Sequence, residues 1–174
     1  MSLQGKKAII LVENLYEEME LWYPYYRLKE EGVDVKIVCP NQNKLSTYKG
    51  KNGYPAAPDL SINELNLDEI DAILIPGGFA PDYLRRYDEI IELVKVAFEK
   101  NKIIAAICHG PSVLISADIL KGKKATSFMA IKQDIINAGA NYVDKEVVID
   151  NNLITSRTPA DLPAYCKAII DALK

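Results

Sequence analysis

The chain has 174 residues, 21 basic and 24 acidic side chains for a net charge of −3, and 49% hydrophobic content. Such length and composition point to a single globular domain over residues 1–174 and exclude a disordered chain. Three dispersed cysteines (Cys39, Cys108, Cys166) and a lone histidine, His109, argue against a disulfide framework and a clustered zinc site, and exclude any mechanism needing two histidines.

Residues 8–12 form the first apolar run, too short for a signal-peptide core, and no stretch approaches the ~18 apolar residues of a membrane span. The expectation is a cytoplasmic protein with no membrane partner. Mild negative charge and the lack of a basic stripe argue against nucleic acid. Residues 16–31 carry helical spacing, with Pro24 predicting a kink or a later start and Gly32 in a helix-ending position. A second strand follows at 35–38, then a hairpin turn off the main sheet at 48–54 around Asn52-Gly53. Strands at 72–75 and 103–107 alternate with helices at 88–100 and 112–120. A helix over 129–137, ended by Gly139, precedes short strands at 147–149 and 153–155. The last helix, 158–173, opens on Thr158-Pro159-Ala160-Asp161, an N-cap, a first-turn proline and an acid. The first four apolar runs are nearly continuous Ile, Val, Leu and Ala, as in strands buried on both faces. This alternation predicts an α/β doubly wound sandwich with a mostly parallel sheet and its ligand site at the carboxyl ends of the strands. Strand one leads into Glu13-Asn14-Leu15-Tyr16 without a glycine, which disfavours a dinucleotide site. No cofactor is implied.

Three strand ends carry the candidate chemistry. Residues 105–107 run into Cys108-His109-Gly110-Pro111, with small residues (Ala106, Gly110) two positions either side of the cysteine, as the tight turn of a nucleophile elbow requires. The helix that follows favours the thiolate of Cys108 through its dipole and free N–H groups. His109 is the sole imidazole available as general base, although neighbours on a sharp turn usually point apart. The third strand ends in Pro76-Gly77-Gly78, whose N–H groups could face an oxyanion, followed by Asp82 at the start of a short helix. The first strand ends near Glu13, Glu17, Glu18 and Glu20. One of these carboxylates turned toward the thiol would share its proton, and spacing does not choose which.

These segments together resemble the ThiJ/PfpI superfamily, in its PfpI-type intracellular protease and protein deglycase branch, over about residues 6 to 173. The resemblance rests on Glu17-Glu18-Met19-Glu20-Leu21, Tyr23-Pro24-Tyr25, Pro76-Gly77-Gly78, Ala106-Ile107-Cys108-His109-Gly110-Pro111 and Thr155-Ser156-Arg157-Thr158-Pro159-Ala160-Asp161-Leu162, among other matched segments. It implies a flavodoxin-like sandwich with Cys108 on the elbow and Glu17 hydrogen-bonded to its thiol. It further implies a homodimer or larger ring in which Asp82, where the best-known proteases of the branch carry glutamate, crosses the interface to orient His109. Aspartate there also resembles members described as deglycases. Phe128 stands where some of the proteases have tyrosine. The function expected first is a cysteine-dependent hydrolase: Cys108 attacks a peptide carbonyl, Gly77, Gly78 and the backbone N–H after the elbow, at the turn that holds Gly110, bind the oxyanion, and His109 with Asp82 relays protons. The alternatives are glyoxalase or deglycase chemistry on methylglyoxal and its protein adducts, and a non-catalytic redox sensor or stress chaperone acting through oxidation of Cys108.

Overall fold

The near-continuous apolar runs become the centre of one sheet. In the computed structural model, which describes residues 3–41 and 44–174, the strands are β1 (Lys7–Leu11), β2 (Asp34–Cys39), β3 (Leu60–Ser61), β4 (Ala72–Ile75), β5 (Ile103–Ile107), β6 (Val147–Asp150) and β7 (Leu153–Ser156). They lie in the order β6-β7-β5-β4-β1-β2-β3. Every pairing is parallel except that of β6 with β7, an antiparallel hairpin at one edge. Ile10 of β1 registers with Ile37 of β2 and Leu74 of β4. Alternate residues of β1 face opposite layers, so both faces of the strand are buried. Ala8 and Ile10 pack toward α1 (Glu18–Glu30) and α6 (Leu162–Leu173), with Leu21, Leu28 and Ile169. Ile9 and Leu11 pack with Ile90 and Val94 of α3 (Asp88–Glu99) and Leu114 of α4 (Pro111–Ser116). Burying one such side chain fully contributes about 1.5–3 kcal/mol. The result is the expected three-layer α/β sandwich with a mostly parallel sheet.

Several local expectations are corrected. The first helix begins at Glu18 and runs through Pro24. Proline lacks only the N–H that would bond the Glu20 carbonyl, and tertiary burial of Leu21 and Leu28 outweighs that loss. The last helix is preceded by a 3₁₀ turn at Pro159–Asp161 and starts at Leu162, and the Thr158 side chain makes no cap bond. Asp161 instead pairs with Arg157 at 2.9 Å. The helix after Cys108, α4, is only six residues long, and the helix expected over 129–137 is shortened to α5 (Lys132–Asn137) behind a 3₁₀ turn. The hairpin, by contrast, forms as expected outside the main sheet, Tyr48–Lys49 pairing with Pro55–Ala56. A two-residue edge strand such as β3 is too short to leave a periodic signal. Among the described residues no helix is long and apolar enough to cross a membrane.

The chain order places a crevice. From β1 it winds outward through β2 and β3, then returns to β4 on the other side of β1. The carboxyl ends of β1 and β4 therefore diverge at a topological switch point, with β5 beside them.

Candidate active site

At the end of β5 the backbone turns on Cys108, whose φ of +61° lies in the left-handed region that non-glycine residues seldom adopt. The Gly110 N–H closes the turn by donating to the Ile107 carbonyl at 2.8 Å, and the Cys108 N–H donates to the Ser156 carbonyl at 3.1 Å. A side chain at Gly110 is sterically forbidden: its Cβ would lie 2.4 Å from the Ile75 carbonyl oxygen and 2.8 Å from that of Ile107. The small residues read from the sequence as an elbow thus form one.

The β1 and β4 ends are laced together across it. The Glu17 N–H donates to the Gly77 carbonyl at 3.2 Å and the Phe79 N–H to the Leu15 carbonyl at 2.8 Å. That lacing fixes where α1 starts, and so which acid meets the thiol. It is Glu20. Its Oε2 accepts the Gly77 N–H at 2.7 Å, the residue is 2% exposed, and its carboxyl lies close enough to the Cys108 thiol for each to shift the other's titration. A Cβ on Gly77 would fall 2.6 Å from that oxygen and 2.7 Å from the Cys108 Cβ, so the site has room for the pair only because residue 77 is glycine.

Glu17, which the resemblance assigned to the thiol, faces elsewhere. It is buried in an ion pair with Lys51 of the hairpin, while Glu18 next to it accepts the Asn52 N–H at 2.7 Å. The two acids lock the hairpin to the start of α1. The signal for Glu20 was present in the spacing: with Pro24 and Leu28 it forms a stripe at four-residue intervals on the buried face of α1. Lys51 left no signal, because only the folded hairpin brings it to Glu17.

Of the expected oxyanion donors two are engaged within the fold, while Gly78 and the N–H that follows the elbow cysteine remain at the sulfur. The Gly77 N–H is taken by Glu20 and the Gly110 N–H by Ile107. The N–H groups that reach the sulfur are those of Gly78 and His109. His109 does not point away from its neighbour: its Nδ1 lies 3.4 Å from the Cys108 Sγ. Phe128 explains this. Its N–H donates to the Cys108 carbonyl at 2.9 Å and its ring lies on the imidazole, centroids 5.1 Å apart and planes at 30°. The half-buried imidazole also lines a groove of about 570 Å³ whose walls include Asp82, Arg85 and Asp134. Asp82 is exposed on α2 (Ala80–Leu84) of the same chain, near enough for His109 to feel its charge.

The electrostatics centre on one shared proton. Burial pushes Glu20 up to about 7, opposed by the Gly77 N–H and reinforced by the Glu17 charge. Burial, and then the charge of Glu20, push the Cys108 thiol up to about 12, against the His109 and Gly78 N–H groups. The lowering expected from the helix dipole is outweighed, since the thiol sits in a buried pocket beside an acid. Two such groups titrate as a unit. A thiolate near neutral pH therefore requires Glu20 to hold the proton. That removes the repulsion and leaves an O–H beside the sulfur. Burial also draws His109 below the ordinary histidine range, aided by Lys51 and opposed by Asp82, so the imidazole is neutral and able to accept a proton at pH 7. Among the described residues no three His, Cys, Asp or Glu side chains gather as a metal-binding group.

This combination of an elbow cysteine, an adjacent histidine and a buried glutamate can be set beside known proteins. The sequence profile of the DJ-1/PfpI family matches residues 6–172. The chain belongs to the DJ-1/PfpI family. It is 44% identical over 168 residues to Deglycase PfpI of Pyrococcus furiosus, covering 97% of this chain and 99% of the relative. It is 43% identical over 170 residues to a putative cysteine protease, YraA, of Bacillus subtilis, covering 98% and 99%. Among solved structures, a protein of Anabaena variabilis with DJ-1/ThiJ/PfpI-like and ferritin-like domains superposes with a TM-score of 0.93 at 44% identity, over 97% of this chain and 48% of that one. DJ-1/PfpI membership brings the flavodoxin-like α/β fold, and the relatives' names fit an enzyme of the cysteine hydrolase or deglycase class.

Proposed function

We propose that this DJ-1/PfpI protein, acting as one domain in the cytoplasm, is a Cys108-dependent deglycase that hydrolyses early methylglyoxal adducts of protein amines. The observation that carries the reading is the contact between Cys108 and a buried carboxyl, Glu20, that titrates near 7. In the adduct, the amine nitrogen and a hydroxyl share the former aldehyde carbon, next to a ketone. Cys108 sulfur bonds that carbon, the C–N bond breaks, and the amine leaves with the proton supplied by Glu20. The carbon now carries sulfur, hydroxyl and hydrogen. Glu20, as carboxylate, takes the C–H proton and returns it to the neighbouring ketone carbon, while the hydroxyl proton passes to the ketone oxygen, giving a lactoyl thioester. Water activated by neutral His109 hydrolyses the thioester to lactate and regenerates the thiol. The sum is adduct plus water giving amine plus lactate, with no oxidant or reductant. The Gly78 and His109 N–H groups support charge on the adduct oxygen.

A peptidase reading has its own support, the 3.4 Å approach of His109 Nδ1 to the sulfur, which fits a cysteine–histidine pair attacking an amide. Methylglyoxal-treated protein and a fluorogenic peptide, each offered to wild type and to Cys108→Ser, separate the two. Lactate release with an intact peptide supports the deglycase. Peptide cleavage without lactate overturns it.

The site is proposed to be completed in a homodimer or larger ring, with Asp82 of a second copy facing His109. The support is the exposure of Asp82 on the groove that His109 lines. Mixing Cys108→Ser with Asp82→Ala subunits tests it. Regained activity requires Asp82 to act across the interface.

A further inference from the structure

Tyr165 is buried on α6 at 1% exposure, in the apolar cluster that holds Leu21 of α1 and against which Cys108 packs. No hydrogen-bond partner meets its hydroxyl among the described residues. The same is true of Glu20 Oε1, the oxygen that Gly77 does not hold. Buried polar atoms are nearly always paired, and two unpaired buried oxygens on residues that both neighbour Cys108 call for an explanation. Phenylalanine would fill the space of the Tyr165 ring without leaving an oxygen over. The Glu20 carboxylate is moreover one of the charges that the phenol feels.

We propose that the Tyr165 hydroxyl donates to the free oxygen of Glu20 through one bridging water, and so decides whether Glu20 or Cys108 keeps the proton they share. Tyr165 is then a positioning residue, acting on the thiol through Glu20. The inference rests on the reading of Cys108 and Glu20 as the reactive pair.

The sign follows from which form a donor favours. A hydroxyl donating to Glu20 stabilises the carboxylate more than the neutral acid. With the hydroxyl gone, the singly protonated pair spends more time as Glu20 acid and Cys108 thiolate. The other charged and titratable groups facing Glu20 are Glu17 from the start of α1, Lys51 from the hairpin, and Cys108 on the elbow. A change at Tyr165 leaves them in place.

Iodoacetamide alkylation of Cys108 from pH 5 to 10, followed by mass spectrometry, tests this in wild type, Tyr165→Phe, Glu20→Gln and the double variant. Tyr165→Phe should speed alkylation at pH 8 by about three- to tenfold and move the lower-pH midpoint up by roughly half to one unit. In the Glu20→Gln background the same change should have no effect. Tyr165→Met, which also lacks the hydroxyl, should repeat the rise. An unmoved rate and midpoint in Tyr165→Phe, or an equal rise without Glu20, overturns the proposal alone. Wild-type Cys108 reacting no faster than Cys39 or Cys166 overturns the reading of the site and the proposal with it.

Discussion

Cys108 and Cys166 lie on opposite sides of one chemical distinction. Burial pushes both thiols up to about 12. Around Cys166, on α6, the neighbours are apolar: Leu162, Ile169 and Leu173 share its buried face, and the distant positive charge of Arg27 is the sole opposing influence. Around Cys108 stand two backbone N–H groups, an imidazole nitrogen at 3.4 Å and a carboxyl able to take the proton near pH 7. A high thiol pKa therefore does not mark an inert cysteine. What separates reactive from structural is an adjacent group that can exchange a proton with the sulfur.

The sharpest break between the two is removal of the sulfur itself. Cys108→Ser should lower lactate release by about 10³-fold or more with little change in melting temperature, because serine at the elbow keeps the turn but not the nucleophile. Next comes the proton partner. Glu20→Gln should cost about 10²-fold in kcat, the loss typical of one general acid–base group, while Glu17→Gln should cost less than about tenfold. Its partner Lys51 is 39% exposed and can turn to water. If Glu17→Gln proves the more damaging, the assignment of the thiol's partner is wrong.

The fold was legible because it rests on repetition: four apolar runs buried on both faces and helices between them leave one architecture. The elbow was legible for the same kind of reason, since Gly110 and Ala106 can be read as missing side chains around Cys108. The identity of the glutamate was not read correctly. Four acids within eight residues all suit the start of a helix. The choice among them depends on the Glu17–Gly77 and Leu15–Phe79 lacing, contacts between segments some sixty residues apart in sequence. His109 was misjudged on geometry, because Phe128, nineteen residues on, holds its ring beside the sulfur. The buried stripe of 20, 24 and 28 was available, and Pro24 obscured it by making the helix look interrupted there.

A smaller effect comes from the energetic side of the same contrast. Glu20 ordinarily titrates at 4.5 and is held at about 7 in the fold. The folded state then binds more protons than the unfolded chain between those values, so the stability associated with Glu20 is full below 4.5 and lost as pH rises through 7. The shift corresponds to about 3 kcal/mol. Glu20→Gln, though catalytically impaired, should be at least as stable as wild type at pH 8, and urea melts at pH 5 and pH 8 should differ less for the variant. A variant that is clearly less stable at pH 8 would mean that the ionised carboxyl holds the fold together, and that the site is not a region where stability is given up for chemistry.

The smallest effect belongs to Cys166. It occupies the helix face as a small hydrophobe at 1% exposure. Cys166→Ala removes one sulfur from a packed interior, for about 1 kcal/mol and a fall of roughly 2–4 °C in melting temperature. Lactate release per folded molecule should not change. Cys166 does adjoin Tyr165, however, and α6 packs on the sheet beneath the elbow. A lost sulfur could let Tyr165 shift, and that shift would appear as a faster alkylation of Cys108. Equal alkylation rates in Cys166→Ala and wild type would show that the packing cysteine and the reactive one are energetically separate. A raised rate would show that they are coupled through the phenol between them, and that inertness at Cys166 is itself part of holding the proton on Glu20 or Cys108.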